Sequence, residues 1–188
     1  MPEDSRSTIL AATVTCLGRH GIAKTTVDDA ARAAGVARAT VYRHFPDGKE
    51  QLIAEAIEWA VADFFTDLAV AIDDTPDFAS LLEAALTYAR PAVDQHEVLQ
   101  KVLLTEPERL LPHLTQAAPQ VQAALRLYLE QRLEQERLLP GVTVEAAADW
   151  LARMMMSCIL SPGSWDLDDP AQVRRLVRDE FLVGILAP

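Results

Sequence analysis

The chain has 188 residues, half of them hydrophobic, with a formal charge of −11 and a pI near 4.7. That is material for one large domain or two small ones, and on average the charge argues against a surface that attracts phosphates everywhere. Two cysteines, Cys16 and Cys158, make no disulfide framework in a chain this long and read as small buried hydrophobes.

No CxxC or His/Cys cluster has metal-ligand spacing, so neither a metal nor a cofactor is expected. The start, MPEDSRSTIL, is too acidic and polar for a signal peptide. No apolar run approaches the ~20 residues of a membrane span. A cytoplasmic location and no membrane partner are the resulting expectations.

Helical spacing dominates, and neither sustained alternation nor an Asn-Gly or Asp-Gly hairpin signal is present. Leu10, Val14 and Leu17 mark a first helix stopped by Gly21. Thr26 is placed to cap a second helix, with Asp29 three residues on as a capping-box partner. Gly35 then permits the tight corner before a third helix from about Ala37 to Phe45. Pro46-Asp47-Gly48 breaks the pattern, and Lys49 opens a long helix to about Ala71. Further helices are predicted from Phe78, interrupted or ended at Pro91; from His96 to Thr105; from Pro119 to Leu138; from Val144 to Leu160; and from Pro170 to Leu186, with EPERLLP as a short broken piece. His96 and His113 stand beside helix breaks, where an exposed or capping role is the expectation. The fold class is all-α, with about nine helices.

The charge is unevenly distributed. Residues 1–50 hold seven Lys/Arg against six acids, whereas residues 51–188 hold ten against 22. The near-neutral part contains the third helix. On a wheel of 100° per residue, Val41 and Phe45 fall on one side, four apart, and pack inward. Ala39, Thr40, Tyr42, Arg43 and His44 spread over the opposite arc, with Arg38 in the first turn. This outward face has donors, one aromatic ring and no acid. These are the properties of a helix that enters the major groove of double-stranded DNA. Arg38 suits a bidentate contact to guanine. Tyr42, His44 and Lys49 suit phosphates, as do Thr25 or Thr26 with the first N–H groups of helix two. The competing reading is a short amphipathic helix whose polar face is merely solvated.

Residues 25–57, TTVDDAARAAGVARATVYRHFPDGKEQLIAEAI, resemble the N-terminal signature of TetR-family transcriptional regulators. The Thr pair, AGV, TVYRHF and GKEQL carry the likeness in order. The resemblance implies a three-helix, helix-turn-helix DNA-binding domain over residues 1–50. It implies a larger helical domain over residues 51–188 that takes an effector and dimerises through its last two helices. It further implies a repressor that binds a palindromic operator as a homodimer and is released by a small molecule. Two departures stand out. Ala37 replaces the usual Ser as N-cap of helix three, a loss of ~1 kcal/mol in capping. Helix two carries Asp28 and Asp29, expected to serve its N-terminal dipole.

The last two helices have broad apolar faces that either bury one another within one chain or, as the resemblance implies, build a dimer interface. The candidates are Leu151, Met155, Cys158, Ile159, Val173, Leu176, Val177 and Phe181. Trp59, Phe64, Tyr88, Leu103, Leu104, Leu125, Tyr128, Trp150 and Met154 are candidates to line an effector cavity. With no basic cluster for an anion, a mostly apolar small molecule is expected. No G-x-S-x-G, P-loop, H-E-x-x-H or Rossmann fingerprint is present, so no catalytic residue is assigned. A helical protein-interaction module and a small all-α enzyme are the alternatives from other functional classes.

Overall fold

A computed structural model describes residues 2–187, with side chains from Ser5 onward. Among the described residues there are nine α-helices and no strand, as the spacing predicts. They are α1 (Pro2–His20), α2 (Val27–Ala33), α3 (Arg38–His44), α4 (Lys49–Ile72), α5 (Phe78–Asp94), α6 (Glu97–Thr105), α7 (Pro107–Leu133), α8 (Val144–Leu160) and α9 (Pro170–Leu176). The chain packs as two compact units, one of residues 1–64 and 95–118, the other of residues 65–94 and 119–188. No described helix is long and apolar enough to cross a membrane.

The first unit has two adjoining apolar clusters. One seats the short helices: Ile9, Leu10, Val27, Ala30, Ala31, Val41, Phe45, Leu52 and Ala56, with Trp59 at its edge. The other joins α1 and α4 to α6 and the start of α7 through Leu17, Ile22, Ile53, Ile57, Val102 and Leu110. Between α1 and α2 the loop is held by polar groups from three directions. Lys49 Nζ donates to the Ala23 carbonyl at 2.7 Å. Glu106 Oε2 accepts from the Ala23 N–H at 2.8 Å. Lys101 Nζ donates to the carbonyl of Gly18 at 2.6 Å, with Arg19 O at 3.2 Å, supplying partners to the orphan end of α1.

In the second unit α5 buries Phe78, Leu81, Leu82, Ala85, Leu86 and Ala89. It does not stop at Pro91. The proline removes one backbone donor, but tertiary packing carries the helix to Asp94. Arg90 there pairs with Asp94 at 2.7 Å and donates to the Ile159 carbonyl at the end of α8 at 3.0 Å. The EPERLLP piece is not broken off either: α7 is continuous through Pro112 and Pro119, started by Pro107 in the first turn, where a missing N–H costs nothing.

The last predicted helix is shorter than its apolar spacing suggests. α9 ends at Leu176, a wide π-type turn covers Val177–Phe181, and Gly184 adopts φ +79°. The chain end then lies against residues 137–139, with Leu139 N–H donating to Ile185 O at 2.9 Å and Ala187 N–H to Arg137 O at 2.8 Å. That pairing also explains why α7 ends at Leu133 rather than Leu138. Both cysteines are buried, and burial pushes both thiols above their usual range.

Two glycines in the first unit separate strain from crowding. Gly35 has φ +66° with nothing within 4 Å of a built Cβ, whereas Gly21 has φ +80° and a Cβ would lie 1.9 Å from Glu106 Oε1. Gly35→Ala is expected to lower stability by about 1 kcal/mol through backbone strain. Gly21→Ala should lower it by roughly 2–3 kcal/mol, because the methyl also drives the Glu106 carboxylate off the Ala23 N–H. Urea unfolding of the two variants, with matched m-values, measures the difference. Equal losses would mean that the Glu106 contact contributes nothing.

Candidate nucleic-acid interface

Two side chains fix which way α3 faces. Val41 and Phe45 are both 0% exposed. Their burial turns Arg38, Ala39, Tyr42 and Arg43 to the surface, leaving Thr40 and His44 half-buried. The Arg6 guanidinium lies 5.3 Å from the Phe45 ring centre and pairs with Glu55, covering the other side of that anchor. His44 is turned partly inward: its Nε2 is buried with no partner, and its ring sits 6.3 Å from that of Phe45.

The turn before α3 matches the tight corner expected of Gly35. Val36 N–H donates to Ala31 O at 3.0 Å and Gly35 N–H to Arg32 O at 3.3 Å. Ala37 stands at the N-cap in extended conformation and makes no side-chain cap bond. Burial of Val41 below and packing of Val36 on the head cluster hold the helix start instead.

Arg38 is held on two sides. Nη1 donates to Asp28 Oδ2 on α2 at 2.7 Å. Nη2 donates to the Tyr42 hydroxyl at 3.2 Å, with the guanidinium carbon 5.4 Å from the Tyr42 ring centre. The bond to Tyr42, then the Asp28 charge, raise the Arg38 pKa further above its ordinary value. Asp28 thus serves Arg38 as well as the first turn of α2. No periodicity links positions ten apart across a turn, so no pattern in the sequence reveals this pairing. Asp29 alone closes the capping box with Thr26: Asp29 N–H donates to Thr26 Oγ1 at 3.2 Å, and Thr26 N–H and hydroxyl donate to Asp29 Oδ2 at 3.1 and 2.6 Å.

Other candidates are engaged inside the loop. Thr25 is 1% exposed and its hydroxyl donates to Gly21 O at 2.7 Å, while Lys49 holds the Ala23 carbonyl. Arg38, Ala39, Tyr42 and Arg43 are therefore the exposed group on one helix, with Thr40 beside them.

Residues 9–56 match the family model of the bacterial regulatory proteins of the tetR family, spanning α1 to the first part of α4. Residues 9–56 are thus a tetR-family domain. Over 185 residues it is 24% identical to the nucleoid occlusion factor SlmA of Marinomonas sp. (strain MWYL1), covering 96% of this chain and 86% of that one. Over 89 residues it is 32% identical to the HTH-type transcriptional repressor KstR2 of Rhodococcus jostii (strain RHA1), covering 47% and 43% of the two chains. A solved structure described as a putative TetR-family transcriptional regulator from Mesorhizobium loti MAFF303099 superposes with a TM-score of 0.65 at 17% identity, over 100% of this chain and 99% of that one. The α2–turn–α3 corner is thus the helix-turn-helix of that tetR-family domain.

The remaining candidate residues fall as follows. Leu151, Met155, Cys158, Ile159, Val173, Leu176, Val177 and Phe181 are all buried within the second unit of the single chain. What α8 exposes instead is Trp150 and Leu160, at 43% and 68%. The candidate cavity residues divide between the units. Trp59 packs on the head cluster, Leu103 on the neighbouring cluster, Phe64 is half-buried, and Leu104 is exposed, all in the first unit. Tyr88, Leu125, Tyr128, Trp150 and Met154 belong to the second, where Arg132 donates to the Tyr128 hydroxyl at 3.1 Å. His96 caps α6, its Nδ1 accepting from Leu99 N–H at 3.1 Å.

The capping box makes the TetR head sensitive to acid. Hydrogen bonds from the Thr26 hydroxyl, then the Thr26 N–H, hold the Asp29 carboxyl below its ordinary value. A carboxyl with a depressed folded pKa contributes stability that is complete above its unfolded pKa, about 3.9, and lost as pH falls through the folded value. The stability difference between wild type and Asp29→Asn should therefore be constant near neutral pH and shrink below about pH 4. Urea midpoints measured from pH 7 to pH 3 test this, and a difference unchanged down to pH 3 would refute it.

Proposed function

We propose that this protein is a TetR-family repressor that binds a palindromic operator as a homodimer and releases it when a small, mostly apolar ligand binds. Residues 1–50 form the DNA-binding domain, and residues 51–188 take the ligand and the partner subunit. The observation that carries this is the outward face of α3, on which Arg38, Tyr42 and Arg43 are exposed beside small Ala39 while Val41 and Phe45 anchor the helix. Ala39 permits close approach to the groove, and Arg38 meets base edges. Arg43 and the exposed Thr26 at the start of α2 serve the backbone, whereas Thr25 and Lys49 hold the loop before α2.

The likeness to a named repressor supports repression as the mode. Dimer formation is supported by the exposed Trp150 and Leu160 on α8, and a two-fold arrangement sets the half-sites about one turn of DNA, ~34–36 Å, apart. In this reading the buried apolar residues of α8 and α9 form the floor on which the dimer face stands. A ligand acts by binding one arrangement of the dimer better than another. The protein is not an enzyme and works in the cytoplasm, where its operator lies.

Selection of duplexes from a random pool by the purified protein should return an inverted repeat, and gel shifts should show the same sites upstream of genes. The dimer should elute at about twice the 20.7 kDa chain mass. Arg38→Ala combined with Tyr42→Phe should reduce operator affinity at least ten-fold, the scale of one lost bidentate base contact. Its helical circular dichroism and dimer mass should stay unchanged. Loss of helix content in that variant would assign the two residues to folding rather than to DNA.

A further inference from the structure

Arg38 is the one base-reading candidate whose side chain is oriented by a residue from another helix. Its Nη1 is bonded to Asp28 on α2 and its Nη2 to Tyr42 on α3, over whose ring the guanidinium lies. A carboxylate at a DNA-facing corner is unfavourable for affinity, since it repels every phosphate that comes near. Asp29 already closes the α2 capping box, so at the helix start Asp28 contributes its charge but no capping bond. What Asp28 adds is a fixed partner for Arg38.

We propose that Asp28 is a specificity-determining residue of the DNA interface, which holds the Arg38 fork for a neutral base edge and against an anionic phosphate. This rests on the reading of α3 as the DNA-reading helix. A free guanidinium is drawn to any phosphate, and its planar fork fits phosphate oxygens as well as it fits guanine O6 and N7. With Asp28 on Nη1, the local charge is close to neutral and the side chain is held along the Tyr42 ring. A guanine edge, with uncharged acceptors, meets the remaining N–H groups without repelling Asp28. A phosphate brings its charge against the carboxylate. The two side chains remain 59% and 51% exposed, so the pair is weak enough to adjust when DNA arrives. Asp28 acts through Arg38 and is a positioning residue.

The test compares wild type, Asp28→Asn, Arg38→Ala and the double variant, full-length, in DNA selection and in titrations against the selected duplex, single-base variants of it and a random-sequence duplex. Asp28→Asn should bind the random duplex more tightly, with a log–log salt slope steeper by about 0.9, one more released counterion. Its preference at the base pair read by Arg38 should fall about ten-fold, the scale of one bidentate contact, with other positions unchanged. In the Arg38→Ala background Asp28→Asn should leave base preference unaltered. If Asp28→Asn keeps the wild-type preference at every position, or alters it equally with Arg38 absent, the proposal is overturned while the DNA-binding reading stands. A wild-type protein that selects no sequence overturns both, and is told apart by failing before any variant is compared.

Discussion

The candidate interface depends on the burial of two residues four positions apart, Val41 within a helix of seven and Phe45 at its C-cap. A helix this short has little stability of its own. It also starts without a side-chain cap, because Ala37 offers none. Tertiary burial therefore does what capping and length cannot. It supplies the free energy that keeps α3 helical and fixes its rotation about its own axis. With Val41 and Phe45 turned inward against Ile9, Leu10, Leu52 and Ala56, the polar arc has one direction left to face. The chemistry of the outer face and the stability of the helix follow from the same contact.

How much of this was legible from residues alone can be judged element by element. The first four helices, the capping box and the Gly35 corner are signalled locally, by spacing, a Thr–Asp pair three apart and a glycine in the left-handed region. The wheel oriented Val41 and Phe45 correctly for the same reason. Proline led the reading astray at Pro91, Pro112 and Pro119, because a lost backbone donor is a local penalty whereas the packing that outweighs it is set by distant residues. The apolar spacing of the last helix continues past Phe181 and so predicts a longer element than α9, because the pairing of residues 185–187 with 137–139 leaves no trace in periodicity.

At the site the division is similar. Which residues of α3 face outward was readable; what each side chain does there was less so. Thr25 and Lys49 carry polar groups that suit phosphate, yet both are tied to carbonyls of the Gly21–Ala23 loop. The Asp28–Arg38 pair joins two helices across a turn, and Glu106 and Lys101 reach α1 and its loop from more than eighty positions away. Such contacts depend on packing angle, which no spacing rule contains. The apolar faces of α8 and α9 show the limit most plainly: their width was evident, but the same width serves a helix buried within one chain and a helix pressed against a partner.

The acidic composition looks opposed to DNA binding until the distribution and the pairing of charges are considered together. A strongly basic head would hold any duplex through counterion release and gain little from the right sequence. Residues 1–50 are almost balanced instead, and within them Asp29 is bound to Thr26 and Arg32, and Asp28 to Arg38. Weak general attraction and a constrained arginine work in the same direction. Each lowers the affinity shared by all sequences, and neither lowers the part that depends on matching donors to a base edge. Specificity is a difference between two affinities. A head that carries so little excess positive charge must draw that difference from the geometry of α3, and hence from the two buried side chains that orient it.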